Sequence, residues 1–279
     1  MSDAAWSDPV ADRAHRPDPH LVHALVEARH ALDRAARGSP HFDGLRADEV
    51  PAPRDATEAY AVQDAVAREL GWFATVRPSA WKVGAATRDS TPEATPLPPA
   101  GVARSPAAFA ARRIVSIGIE GELAFRLRTA PEPERFEQAI DDAIDDTIGE
   151  LIVTLEIVAP RFRELAAMPP LLRLADQGVH GALVVGTGVS WQGPIDWEQQ
   201  VAIVRRNGVV ASETRGGHPL GDLRFLLPWL ARHAASRGQP LAAGDIVTAG
   251  TWTGLLSAKP GETLVVEFPG IGAASVSLA

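Results

Sequence analysis

Apolar and polar positions along the chain mark out helices first and then mostly strands. From Pro19 to Gly38, Leu21, Leu25, Ala28 and Leu32 recur at helical spacing, and Gly38 supplies a stop. Asp55-Ala-Thr-Glu58 has the spacing of a capping box. It opens a second helix through Tyr60, Val62, Val66 and Leu70 to Gly71. Trp81-Lys-Val-Gly84 reads as a short strand, followed by a long Thr- and Pro-rich loop from Thr87 to Ala100, a lid or a surface excursion. Ile117, Ile119, Leu123, Phe125 and Leu127 are apolar with Glu120 and Glu122 set between, a strand pattern. Phe136, Ile140, Ile144 and Ile148 recur every four residues, which predicts an amphipathic helix over Pro131–Glu150 with the acids on its wet face. Leu151–Val158 is a nearly continuous apolar run, a buried strand holding one acid, Glu156.

Arg173–Gly186 is a glycine-rich turn leading into a strand. The Gly186-Thr-Gly188 after it lacks the third glycine and the helix of a dinucleotide fingerprint. Asn207-Gly208 signals a two-residue hairpin. A helix is expected from Gly217-His-Pro-Leu220 to Arg237, with His218 at its start, Pro219 at its first position and a kink at Pro228. His41 reads as an ordinary loop residue, and Asp245 to Leu278 as all β. The layout is α+β with a mixed, strongly bent sheet. It divides into a mobile tail over 1–18, a helical N-terminal part over 19–78 and a mixed-β catalytic domain over 79–279.

Composition narrows the class. The 279 residues are 46% hydrophobic and 22% charged, ordinary for a soluble globular protein. The net charge of −8 without a basic block argues against nucleic acid or an anionic membrane surface. The absence of cysteine excludes disulfides, thiolate metal sites and cysteine nucleophiles. No apolar stretch approaches the ~20 residues of a membrane span, and the acidic N-terminus lacks the pattern of a signal peptide. A cytoplasmic protein is the expectation.

Candidate chemistry lies on the strands. Residues two apart on a strand share a face, so Glu120 and Glu122 project together and require a counter-charge. Glu156, alone in a buried run, must be paired, protonated or bound to a cation. Taken singly, a Glu-x-Glu strand is the solvated face of a half-buried sheet, and Glu156 a partner for Lys82 or Arg161. Taken together, the three acids form an all-oxygen set suited to Mg²⁺ or Mn²⁺.

Several short stretches, in this order, resemble the fumarylacetoacetate hydrolase superfamily, nearest its 2-keto-4-pentenoate hydratase and 4-oxalocrotonate decarboxylase branch. They are Ala59-Tyr-Ala-Val-Gln63, Trp81-Lys-Val-Gly84, Ile119-Glu-Gly-Glu-Leu-Ala-Phe125 and Leu155-Glu-Ile-Val158 with Arg161. Ala175-Asp176 with Gly181, Gly217-His-Pro-Leu220, Leu241–Ile246 with Gly250, and Pro260-Gly-Glu262 with Gly270–Gly272 follow. The resemblance implies a curled mixed β-sheet barrel with a smaller helical N-terminal part. It implies one divalent cation on Glu120, Glu122 and Glu156, and an active-site lysine at Lys82. The loop receiving the substrate's carboxylate falls on Gly250, Thr251 and Thr253, and Asp176 joins this substrate-binding set. The His-Glu lid of the C–C hydrolases has no counterpart, which favours hydratase or decarboxylase chemistry.

Two stretches depart from the branch. One is the loop Ala94–Arg104. The other is the turn Asp176-Gln-Gly-Val-His180, where Val179 lacks a hydroxyl and His180 adds a titratable group. His180 is therefore a candidate proton carrier. Lys82 is expected to bind a carboxylate or carry a proton, its pKa pushed down by burial and by the metal. The resulting reading is a metal-dependent hydratase of 2-hydroxy-2,4-dienoates, as in aromatic meta-cleavage. Its alternatives are a 2-oxo acid decarboxylase, a tautomerase, or a non-catalytic accessory subunit. The resemblance implies a homo-oligomer, with association with a related decarboxylase or hydratase conceivable.

Overall fold

A computed structural model describes residues 16–111, 115–138 and 140–279. The tail expected over 1–18 lies outside the described residues as far as residue 15. Two helices come first. Helix α1 (Pro19–Ala36) starts where Asp18 accepts hydrogen bonds from the His20 and Leu21 amides. Helix α2 (Ala56–Glu69) is capped by Asp55, which accepts from the Glu58 amide. The Glu58 carboxylate does not close a capping box but accepts from the Arg54 amide and guanidinium instead. Leu21, Leu25, Val62 and Val66 of these helices pack with Phe162 and Leu172 in a cluster of their own.

Among the described residues thirteen strands follow, in chain order β1 (Ala80–Gly84), β2 (Glu93–Pro96), β3 (Val102–Arg104), β4 (Ala107–Phe109), β5 (Gly118–Leu127), β6 (Ile148–Val158), β7 (His180–Ser190), β8 (Val201–Arg206), β9 (Val209–Arg215), β10 (Ile246–Thr251), β11 (Leu256–Ser257), β12 (Thr263–Phe268) and β13 (Gly272–Leu278). One sheet runs β2-β1-β10-β5-β6-β7-β3, with β11 added to β5, and curls into a half-barrel. The other runs β4-β13-β12-β8-β9. Parallel pairs (β1 with β10, β3 with β7, β4 with β13) are mixed with antiparallel ones, as a bent α+β sheet predicts. The two faces of the curled sheet have different partners. Leu123, Phe125, Leu155 and Ile157 join Val266, Phe268 and Val276 of the second sheet in the main core. Ala124, Ile152, Leu183 and Ile246 fill the inside of the curl. By the two-residue strand period, Glu120, Glu122 and Glu156 point into that curl.

Three boundaries differ from expectation. The acidic helix ends at Thr147, and Ile148 is already the first residue of β6, so one isoleucine of the every-four stripe belongs to the sheet. The Thr87–Ala100 loop contains β2, which pairs with β1, so four of its fourteen residues are sheet rather than lid. No helix begins at Gly217. After a 3₁₀ turn over Leu223–Phe225, the helix spans only Leu226–Ser236. Pro228 thus falls in its first turn, where no amide donor is required, and does not kink it. Among the described residues, no helix is long and apolar enough to cross a membrane. The Asn207-Gly208 hairpin forms as the pattern predicts, both residues at positive φ.

Candidate metal centre and active site

The centre is assembled by register. Glu120 lies directly across from Glu156 in the β5–β6 ladder, and Glu122 across from Thr154. One carboxylate oxygen from each of Glu120, Glu122 and Glu156 lies within 4.8 Å of the others. Glu122 and Glu156 are fully buried. The close approach of the second sheet demands glycine between the two acids of β5. A Cβ on Gly121 would meet Val266 at 2.7 Å and Thr253 at 2.9 Å.

Lys82, on β1, supplies the only ammonium in this ring among the described residues. Its Nζ donates to Glu156 Oε1 at 3.0 Å, stands 2.8 Å from Oε2, and reaches the Gly178 carbonyl at 3.4 Å. The Thr248 hydroxyl donates to Glu122 Oε2 and lies 2.9 Å from the Thr154 hydroxyl. Glu122 Oε1 is buried with no hydrogen-bond partner among the described residues. A converging, partly unpaired carboxylate set is poorly satisfied by protein alone and fits a hard divalent cation.

The electrostatics carry the same strain. Burial, then repulsion from Glu156 and Glu120, push the Glu122 carboxyl well above the usual carboxylate range. Burial also raises Glu120, against the pull of Lys82. For Glu156 burial again acts upward, but Lys82 and His180 outweigh it and hold the group down at about 2. Burial acts downward on Lys82, yet Glu156, Glu120 and Glu122 together win, and its pKa moves up. The acids that surround the amine on its own side of the curl thus outweigh the downward push of burial.

A cavity of about 530 Å³ opens above Lys82, walled by Gly84, Thr91, Ala94, Thr95, Arg173 and Val179. The remaining expected site residues lie elsewhere. His180 is buried at the start of β7, its Nδ1 3.0 Å from Glu156 Oε1 and its Nε2 enclosed. It touches Glu156 and does not line the cavity above Lys82. Burial lowers its pKa, against the neighbouring Glu156. Asp176 is also sealed in. It accepts from Arg161 Nε at 2.5 Å and from the Arg161 amide at 3.0 Å, with Arg29 at 3.6 Å. It is not part of that wall. Gly250 lies in a bulge of β10 between Thr248 and Thr251 that brings Thr251 opposite Glu122, and Thr253 follows it. Thr253 Oγ1 accepts from the Gly121 amide at 2.9 Å, tying this loop to the acids. Gly250 sits at φ 98° and could carry no side chain without strain.

Sequence reasoning missed Thr154 and Thr248, the hydroxyls that serve Glu122. The signal was present: Thr154 is two residues from Glu156 on the same strand face, a lone hydroxyl in an apolar run.

Two curated relatives are each 28% identical to this chain over 156 residues, the 2-keto-4-pentenoate hydratase of Paraburkholderia xenovorans (strain LB400) and 2-keto-4-pentenoate hydratase 3 of Pseudomonas putida. The match takes in 55% of this chain and 56%, about half, of each relative's length. Among solved structures, the 4-oxalocrotonate decarboxylase from Pseudomonas putida G7, complexed with magnesium and adipate, superposes with a TM-score of 0.73. That likeness is 18% in identity and covers 92% of this chain and 98% of the other, and it establishes the fold. The same enzyme complexed with calcium and acetate gives a TM-score of 0.71. Residues 71–278 match the fumarylacetoacetate (FAA) hydrolase C-terminal family, and the chain belongs to it.

Proposed function

We propose that this protein is a divalent-metal-dependent hydratase that converts a 2-hydroxy-2,4-dienoate to a 4-hydroxy-2-oxo acid. The observation that carries this reading is the converging Glu120, Glu122 and Glu156 set, the last two fully buried, paired with Lys82, which lines a 530 Å³ cavity. That space accommodates a small oxo acid. Magnesium or manganese bound by these acids would supply Lewis acidity toward the two oxygens of a 2-oxo carboxylate. The two 28%-identical hydratases support the choice of reaction.

This chain's own residues have defined tasks. Lys82 is held as an ammonium by the acids around it, and it lines the cavity. It pairs with the substrate's carboxylate and stands ready to hand a proton to the dienol's terminal carbon. Thr248 and Thr154 hold Glu122 in one orientation, so the acids keep a fixed spacing. The hydration balances as one proton gained at carbon 5, the enol proton lost, and water then added across carbons 3 and 4.

Decarboxylation of a 2-oxo diacid is the second reading. Arg173 favours it, because it lines the same cavity and its guanidinium, tied to the Met168 and Ala166 carbonyls, keeps its full charge for a second carboxylate. An ultraviolet time course with 2-hydroxypenta-2,4-dienoate, with Mg²⁺ and then with chelator, separates the two. Metal-dependent loss of dienol absorbance with 4-hydroxy-2-oxopentanoate by mass is the expected result, with Lys82→Met slower by at least ~100-fold. No loss of absorbance, but carbon dioxide released from a 2-oxo diacid, would replace hydratase with decarboxylase.

A further inference from the structure

We infer that His180 is a positioning residue for the metal centre: its Nδ1–H fixes the Glu156 carboxylate and so sets the affinity of the site for a divalent cation. This rests on the metal reading above and names a residue outside the carboxylate set.

The geometry assigns the proton. Lys82 Nζ forms an ion pair with the Glu156 carboxylate, whose oxygens accept, so the ring nitrogen 3.0 Å from Oε1 is placed as the donor. His180 is therefore the Nδ1–H tautomer, with a bare lone pair on Nε2. That Nε2 is buried without a partner among the described residues. Leaving a ring nitrogen unpaired costs free energy, and a buried imidazole that bears this cost is placed for what its other nitrogen does. With Oε1 engaged, Oε2 is the oxygen that accepts no well-aligned hydrogen bond, although Lys82 Nζ is 2.8 Å away.

The backbone is bent to hold this contact. Gln177, Gly178 and Val179 all have positive φ, at 57°, 59° and 56°. For a β-branched residue such as Val179 this is a strained conformation. Arg161 clamps the turn from both sides. Its Nη2 donates to the Asp176 carbonyl at 2.5 Å, and its Nη1 to the His180 carbonyl at 2.6 Å. The strained turn also aims the Gly178 carbonyl at Lys82. One clamp thus holds the imidazole on Glu156 and a carbonyl on the lysine. Partners that orient a metal ligand are worth roughly 10–100-fold in affinity.

The test is calorimetric titration of the metal-stripped full chain with Mn²⁺, for wild type, His180→Asn, His180→Gln and His180→Leu. The amide nitrogen of asparagine occupies the place of Nδ1, whereas that of glutamine lies one bond further out. Wild type and His180→Asn are expected to bind within about 3-fold of each other, and His180→Gln and His180→Leu about 10–100-fold more weakly. Tight binding by His180→Leu, or equal weakness of the Asn and Gln variants, would overturn the inference. Should His180→Leu not fold, the contrast between Asn and Gln decides alone. Failure of the wild type to take up Mn²⁺ would instead overturn the metal reading itself, a distinguishable result.

Discussion

Glu122 shows what the site costs the protein. It is fully buried, faces two other carboxylates, and relies on Thr248 and a shared lysine. Its carboxyl is raised above the ordinary value of 4.5, so the folded state binds that proton more tightly than the unfolded one. Stability therefore falls as pH rises from 4.5 through the folded value. Glu122→Gln removes both the charge and the slope while keeping the shape. In chelator at pH 8 this variant is expected to be more stable than wild type by about 1–2 kcal/mol, with a smaller gain at pH 6. It should at the same time lose its response to Mg²⁺. Thermal melts at the two pH values check this, and a less stable variant at pH 8 would mean the acids are not in conflict. The three acids were legible from the sequence because charge in an apolar strand is conspicuous. His180 was legible as an oddity but not in its role, since its contact depends on a strained turn that no local pattern encodes.

At the scale of elements, local chemistry was legible where it was self-sufficient. Asp18 and Asp55 cap their helices, and Asn207-Gly208 turns its hairpin, because each acts within a few residues. It misled where tertiary contacts took over. Ile148 fits a helical stripe yet begins β6, because pairing with Leu127 outweighs one more turn of an eight-residue helix. The Gly217–Gly221 stretch looked like a helix start and is instead a turn pinned by His218. The His218 Nε2 donates to the Ala249 carbonyl at 3.1 Å, and its Nδ1 accepts from the Leu220 amide at 3.2 Å. Both nitrogens are thus used by the neutral ring, and protonation at Nδ1 would face a donor. Burial accordingly lowers this histidine to about 4, from 6.5. The unfolded chain takes up the proton first, so the contribution is complete above pH 6.5 and is lost as pH falls toward 4. Denaturant unfolding at pH 7 and pH 5 is expected to show the stability gap between wild type and His218→Asn narrow by about 2 kcal/mol. A constant gap would mean that the ring is already charged, or that the turn tolerates the proton.

At the scale of the whole molecule, the second sheet was the least legible feature. Nothing local tells β8, β12 and β13 to form a layer of their own against the outer face of the half-barrel; their apolar residues say only that one side is covered. That outer packing lets the inside of the curl carry acids beside its small apolar cluster, and it explains why three acids can converge there at all. β5 and β6 are held rigidly from behind by the main core, so the carboxylates cannot move apart to relieve their repulsion. A divalent cation in their midst would neutralise the charge and tie the two strands together. The native state gains this binding energy and the unfolded chain, with Glu120 and Glu156 far apart in sequence, does not. Stability should then rise with free cation as RT ln(1 + [L]/Kd), about 2.7 kcal/mol at 100 times Kd. For a chain of this size that is a rise of about 5 °C in Tm. Melts in chelator and across a Mg²⁺ series should show this rise in wild type, with Ca²⁺ acting in the same direction and Na⁺ at equal ionic strength not. Equal shifts with Na⁺ would reduce the effect to screening, and no shift with any divalent ion would leave the acids without their cation.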